Sequence, residues 1–237
     1  MASLSPSQLT KVTILQNAIK RRGWYGDLGA FRTVRKKMPR GGGGQIMLDV
    51  GANIGVFTLY AAAAGWPVIA VEASEANAMR LQESLTMNNF HNVTLFKMAA
   101  GAAIACHAMA IGWKPHNFGM NSFVVKNVPT DMTQNTLVVP LNTVIDPAVT
   151  IAFFKLDVEG FECEALKGAR DLFRRKQVRT IFVELNEPLL LKGGCSLDGL
   201  KSLLADLCID VTDFPHKLKP GTNPDFTGIP LENCTVL

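Results

Sequence analysis

From Ile46 onward the chain keeps a strict rhythm, and that rhythm limits its fold more than any other feature. Ile46 to Val50 reads as a buried strand, and Ile54 to Ala64 as a helix that stops at Gly65. "WPVIAVEAS" reads as a second strand ending at Glu72, and Glu75 to Asn88 carries Ala78, Leu81 and Leu85 at helical spacing. "NVTLFKMA" is a third strand. After an interruption the pattern resumes. "IAFFKLDVEG" is a strand, "FECEALKGARDLFRRK" a helix, "VRTIFVELN" a strand, and "SLDGLKSLLADL" a helix capped by Ser196. Repeated strand–helix units predict a mostly parallel sheet covered by helices on both faces, an α/β doubly wound fold. The interruption, Gly101 to Asp146, holds short β-like pieces ("SFVVKNV", "TLVVPL") around a polar loop, "GWKPHNFGMNS". The tail from Asp210 to Leu237 is expected to supply a final antiparallel pair.

The first 45 residues do not follow this rhythm and are expected to form a separate extension, with residues 46–237 as the main domain. "SPSQLTKVTILQNAIKRRG" reads as a helix closed by Gly23, and "MPRGGGGQ" as a flexible joint. Residues 1 to 40 hold nine Lys/Arg against one acid, Asp27, in a chain of net charge +4, so the rest is net acidic. A basic head on an acidic body has three readings: a solvated helix, a surface for an anionic substrate, or an organelle transit peptide. No apolar stretch approaches the roughly 20 residues of a membrane span, and no signal-peptide core opens the chain. The expectation is therefore a cytoplasmic protein, or an organellar one if residues 1–40 are a transit peptide. Five scattered cysteines (Cys106, Cys163, Cys195, Cys208, Cys234) show no metal-type spacing and read as free thiols. Asn92 and Asn233 match the N-glycosylation pattern but, without a secretion route, are expected to stay unmodified.

Open parallel sheets bind ligands at the carboxyl ends of their strands, where strand order reverses. Four carboxylate positions fall there: Asp49, Glu72, Asp157 with Glu159, and Glu184. Their sign argues against a pyrophosphate. The turn "LDVGANIG" is G-x-x-x-G, from Gly51 to Gly55, and lacks the G-x-G-x-x-G spacing of dinucleotide binders. S-adenosylmethionine suits these groups better, because it has a sulfonium, an ammonium and two ribose hydroxyls but no phosphate. Glu72 stands at the end of the next strand, where an acid can accept both ribose hydroxyls. Gly51 lets backbone approach a ligand closely. In "KLDVEG", Lys155, Asp157 and Glu159 share one face of an extended chain, with Lys155 placed to neutralise neighbouring acids.

"IMLDVGANIGVFTLYAA", "VIAVEAS", "FFKLDVEGFECEALKGA" and "IFVELN" resemble the FkbM-type S-adenosylmethionine-dependent methyltransferases over about residues 46 to 187. The resemblance implies a seven-stranded class I methyltransferase (Rossmann-like) fold, S-adenosyl-L-methionine as cofactor, and O-methylation of a hydroxyl on a sugar or small metabolite. It also implies that Asp49, Gly51, Asn53 and Gly55 line the methionine and ribose side of the pocket. Glu72 and Ala73 would meet the ribose and adenine, and Lys155, Asp157, Glu159 and Glu162 would form the signature near the methyl. Where the family carries E-P-x, this chain has Glu72-Ala73-Ser74.

A hydroxyl acceptor must lose a proton, which calls for a positioned base. Asp157, Glu159 and His116, the last in the polar loop, are the candidates, ahead of His91, His107 and His216. A metal-assisted variant would place Mg²⁺ on Asp157, Glu184 and Asn186, but hydrogen-bonding roles for these residues are the preferred expectation, with no metal. The expected partner is a small hydroxylated molecule. Two other readings stay open: a cofactor-binding module without catalysis, and a nucleic-acid methyltransferase gripping phosphates with its basic head.

Overall fold

The computed structural model describes residues 43–111, 123, 130–218 and 224–236. The chain divides into two units, Met1–Lys36 and Lys37–Leu237. The expected N-terminal helix and His116 lie outside the described residues.

In chain order the first half of the second unit runs β1 (Gln45–Val50), α1 (Val56–Ala63), β2 (Val68–Val71), α2 (Glu75–Met87), β3 (Val93–Phe96), β4 (Ala99–Ala100), β5 (Ala105–Ala110) and β6 (Thr133–Val139). It continues with β7 (Thr150–Leu156), α3 (Glu162–Lys167), α4 (Arg170–Arg174), β8 (Ile181–Glu184), α5 (Glu187–Lys192), α6 (Leu197–Asp206) and β9 (Asp225–Gly228). The main sheet has the order β3-β2-β1-β7-β8-β9. All its neighbours are parallel except β9, which runs antiparallel to β8. Seven strands are expected and six are described. The tail gives one strand in this sheet rather than a pair. The Gly101–Asp146 stretch supplies β5 and β6, which with β4 form a separate three-stranded sheet, β4-β6-β5.

The alternation works because β1 and β7 are buried on both faces. Met47, Leu48, Val50, Phe153, Phe154 and Leu156 are fully covered, so their strands read as near-continuous apolar runs. Two polar residues interrupt them, Asp49 and Lys155, and these are register partners across the β1–β7 pair. Strand order reverses at β1, which has β2 on one side and β7 on the other, and so a crevice opens beyond their carboxyl ends.

Three element expectations change. The third predicted strand splits, with β3 in the main sheet and β4 in the small one. The long helix after "KLDVEG" breaks into α3 and α4 at Gly168, where a Cβ would lie 1.9 Å from the carbonyl oxygen of Gly101. Asn142 fixes that break, its N–H donating to Gly168 O (3.0 Å) and its Oδ1 accepting from Asp171 N–H (3.1 Å). The helix α5 is a further element, capped by Asn186, whose side chain accepts from Leu189 N–H, with Pro188 in its first turn. The cap of α6 is as expected, with Ser196 Oγ accepting from Gly199 N–H at 3.0 Å.

The cysteines also depart from expectation. Cys163 pairs with Cys195 and Cys208 with Cys234, at Cα separations of 6.3 and 5.5 Å, both inside the range a disulfide needs. Cys106 is free and exposed. Cys163 on α3 meets Cys195 just ahead of α6, where α3 packs on α6, and Cys208 just beyond α6 meets Cys234 through the return of the tail, so spacing could not reveal either pair. Asn92 is held structurally, its Nδ2 donating to the carbonyls of Ala62 (3.0 Å) and Trp66 (2.7 Å). Among the described residues no helix is long and apolar enough to cross a membrane.

Candidate functional site

A cleft open to solvent lies at the carboxyl ends of β1, β2 and β7. Its polar side is lined by Gly51, Asn53, Glu72, Ala73, Asp157 and Glu159. Its apolar side includes Met98, Met109, Phe123 and Phe161.

The first turn holds the polar side in shape. Gly51, Asn53 and Gly55 all have positive φ, at 80°, 54° and 92°. A Cβ on Gly51 would sit 1.7 Å from Asp157 O, so only glycine lets the β1 and β7 turns touch here. The Glu72 carboxylate closes the turn from the other side. Its Oε2 accepts from Asn53 N–H at 2.7 Å and its Oε1 from Ser74 N–H at 2.8 Å. Each oxygen therefore keeps lone-pair capacity for a further donor. Burial pushes the Glu72 carboxyl up to about 7, against the pull of those two amides and of Lys155. The Glu72-Ala73-Ser74 turn lacks the family's proline, but Gln134 of β6 braces it. Gln134 Nε2 donates to Ala73 O (2.9 Å) and its Oε1 accepts from Glu75 N–H (3.0 Å).

Beneath the cleft lies a buried ion network. Lys155 Nζ donates to Gly51 O at 2.8 Å and stands 3.1 Å from Asp157 Oδ2 and 3.6 Å from Asp49 Oδ1. Burial opposes its charge, yet the carboxylates of Asp157 and Asp49 raise its pKa well above the ordinary lysine value. Asp157 is pulled upward by burial, but the Lys155 charge and hydrogen bonds from Glu184 and Lys155 outweigh this and hold it below the usual carboxylate range. Glu184, beside it on the next strand, is pushed up to about 10 by burial and by the charge and hydrogen bond of Asp157. Lys155 therefore favours the anionic form of Asp157, and Asp157 and Glu184 titrate as a pair.

The structure brings together Gly51, Asn53, Glu72, Ala73, Asp157 and Glu159 around one cleft. It does not place Asp49 or Gly55 in the lining. Asp49 is fully buried, with Oδ2 accepting from Thr58 Oγ at 2.6 Å and Oδ1 facing Lys155, so it supports the network from behind. Gly55 precedes α1 where a Cβ would lie 2.2 Å from Leu81 Cδ1, so it serves the packing of α1 on α2. Glu162 is also outside the lining. The apolar wall was not foreseen. Met109 comes from β5 and Phe123 from the connection between β5 and β6, and no local sequence pattern announces that they face the cleft. Phe161 carried a signal, since it follows Gly160 in the "KLDVEGF" turn. Among the described residues no group of three or more His, Cys, Asp or Glu is placed to hold a metal ion.

The family model described as the methyltransferase FkbM domain matches residues 49–207. Among solved structures, a methyltransferase FkbM from Methylobacillus flagellatus KT is 24% identical with a TM-score of 0.47, the match covering 72% of this chain and 40% of that one. The chain thus spans well under two thirds of that protein. A TehB-like SAM-dependent methyltransferase from Corynebacterium glutamicum is 10% identical with a TM-score of 0.50, covering 96% of this chain and 100% of that one. A SAM-dependent methyltransferase from Aquifex aeolicus is 14% identical with a TM-score of 0.46, covering 84% and 87%. At these identities the likeness to the Corynebacterium protein is one of fold. No curated protein matches the chain.

Proposed function

The chain belongs to the FkbM methyltransferase family, and from that membership we propose that it is an S-adenosylmethionine-dependent O-methyltransferase acting on a hydroxyl of a small metabolite or sugar. The observation that carries this reading is Glu72: a buried carboxylate at a strand end, fixed by two backbone amides, with an acceptor site left on each oxygen. That arrangement fits a pair of neighbouring hydroxyls.

The other residues present also fit the cofactor. Gly51 offers backbone without a side chain, Met98 and Ala73 offer apolar surface for a purine, and Asp157 offers a fixed negative charge for an ammonium group. When bound, S-adenosylmethionine supplies an electrophilic methyl carbon. The chain's part is to exclude water, align the acceptor and remove its proton, where alignment alone supplies much of the acceleration. Asp157, its anionic form favoured by Lys155, is a weak proton acceptor and acts by orienting. Glu159, also in the cleft wall, takes the acceptor's proton, a role worth roughly 10²–10⁴-fold. His116, the third candidate, lies outside the described residues.

The test has two stages. Calorimetry with S-adenosylhomocysteine should show binding. Transfer of labelled methyl from S-adenosylmethionine should then be followed across a panel of hydroxylated small molecules and, separately, RNA. Absence of binding removes the reading. Binding without transfer to any acceptor supports a cofactor-binding module, and transfer to RNA alone, weakened steeply by salt, supports a nucleic-acid enzyme.

A further inference from the structure

The turn that carries Asp157 and Glu159 into the cleft is unusual in its backbone. Glu159 has φ 53° and Gly160 φ 99°, two consecutive residues in the left-handed region, the first of them not glycine. Such a conformation is strained at a non-glycine residue and persists only where its surroundings enforce it. One enforcing contact is tight packing from behind: a Cβ on Gly160 would meet Leu189 O of α5 at 2.6 Å. The other is Glu162. The residue is 2% exposed and lies outside the cleft lining, and one of its carboxyl oxygens, Oε1, accepts from both Val158 N–H (3.1 Å) and Gly160 N–H (3.2 Å). These amides flank Glu159. Neither has a place in the β7 ladder or in α3, so without Glu162 both would lack a partner in a largely covered turn.

We propose that Glu162 is a positioning residue for the methyl-transfer site: its buried carboxyl clamps the two amides on either side of Glu159, and so holds Asp157 and Glu159 at the cleft wall. The proposal rests on the functional reading above but assigns Glu162 a task no cleft-lining residue performs. The side chain acts through hydrogen bonds to main chain and touches neither cofactor nor acceptor. Burial pushes its carboxyl up to about 7, with the Asp157 charge adding to the rise and the Gly160 and Val158 amides opposing it. Because a neutral carboxyl keeps a carbonyl acceptor, the clamp survives protonation.

Hydrogen exchange on the intact chain tests the clamp directly, with Glu162→Gln and Glu162→Ala beside the wild type. The glutamine keeps a carbonyl oxygen in place, and the alanine removes it. In wild type and Glu162→Gln the Val158 and Gly160 amides should be protected. In Glu162→Ala they should exchange at least tenfold faster while the amides of β1 and α6 are unchanged. S-adenosylhomocysteine affinity should fall about five- to twentyfold in the alanine variant and less than threefold in the glutamine variant. Wild-type amides exchanging like exposed loop amides would overturn the proposal. So would an alanine variant with unaltered affinity, or equal losses in both variants with exchange faster everywhere. If Glu162→Ala does not fold, the wild-type and glutamine exchange rates and affinities decide. A wild type that fails to bind S-adenosylhomocysteine strikes the functional reading alone, since the exchange measurement needs no ligand.

Discussion

Glu72 holds the turns after β1 and β2 through two backbone amides, and a carboxylate so placed has measurable consequences. Its position at the end of β2 followed from counting along one strand–helix–strand unit. Replacing it, Glu72→Ala, should weaken S-adenosylhomocysteine binding by about 1.5–3 kcal/mol, the range for hydrogen bonds to a charged group; calorimetry at pH 8 checks this. Its raised pKa of about 7 adds a pH dependence. Hydroxyl donors favour the carboxylate, so the ligand lowers the pKa and binding expels a proton wherever the free site is protonated. Affinity should therefore rise with pH up to about 7 and level off above it, by up to roughly tenfold between pH 6 and pH 8. Titrations in buffers of different ionisation enthalpy should show proton release at pH 6 and little at pH 8, and Glu72→Gln should flatten the profile. Asp157 and Glu159 separate by kinetics. With a hydroxyl acceptor in hand, Glu159→Gln should lower kcat by about 10²-fold or more with little change in cofactor affinity. Asp157→Asn should act chiefly on cofactor affinity. A normal kcat in the Glu159 variant would move the base elsewhere. Asp49 shows the limit of reading residues from a chain. Its place beside the glycine turn suggested ligand contact, but strand register turns it toward Lys155, and register between distant strands is not written in either one.

Elements were legible where one segment decides its own form and illegible where a distant segment intervenes. The strands β1, β2, β7 and β8 declared themselves by continuous burial, and α2 and α6 by period and cap. The break between α3 and α4 did not, because it depends on Gly101 pressing against Gly168 from another part of the chain. The small sheet was legible only in part: "TLVVPL" marks β6, whereas β5 is mostly exposed over its first four residues and shows no apolar alternation. The glycine turn after β1 gives the prediction for this scale. Gly51→Ala would force a methyl group to within 1.7 Å of Asp157 O at a backbone φ of 80°. The two turns must separate, so the variant should lose at least about 2–3 kcal/mol of stability. It should also bind S-adenosylhomocysteine at least tenfold more weakly. Thermal denaturation with calorimetry reads both, and unchanged values would show that the β1 and β7 turns do not meet as described.

At the scale of the whole molecule, fold class and the end of the sheet that carries the cleft followed from the alternation of strands and helices. The strand count and the Cys208–Cys234 link did not, because both depend on how the tail returns, and the Cys163–Cys195 link depends on how α3 packs beside α6. The two disulfides close loops between residues 32 and 26 apart in sequence. On the chain-entropy account each contributes about 3–4 kcal/mol by restricting the unfolded state. Reduction should therefore lower the melting temperature of the intact chain by roughly 10–30 °C, and alkylation under non-reducing conditions should find Cys106 as the accessible thiol. A melting temperature indifferent to reductant would count against the pairing. The links also matter under tension. Pulled from its two ends, the chain would transmit force through the sulfur bridges and leave the looped residues slack, so roughly 200 Å of contour would stay hidden until a reductant released it. All of that hidden length lies on the β8–β9 side of the sheet, so the half built around β2 and β3 would yield to its full extent while the other half came apart only in part.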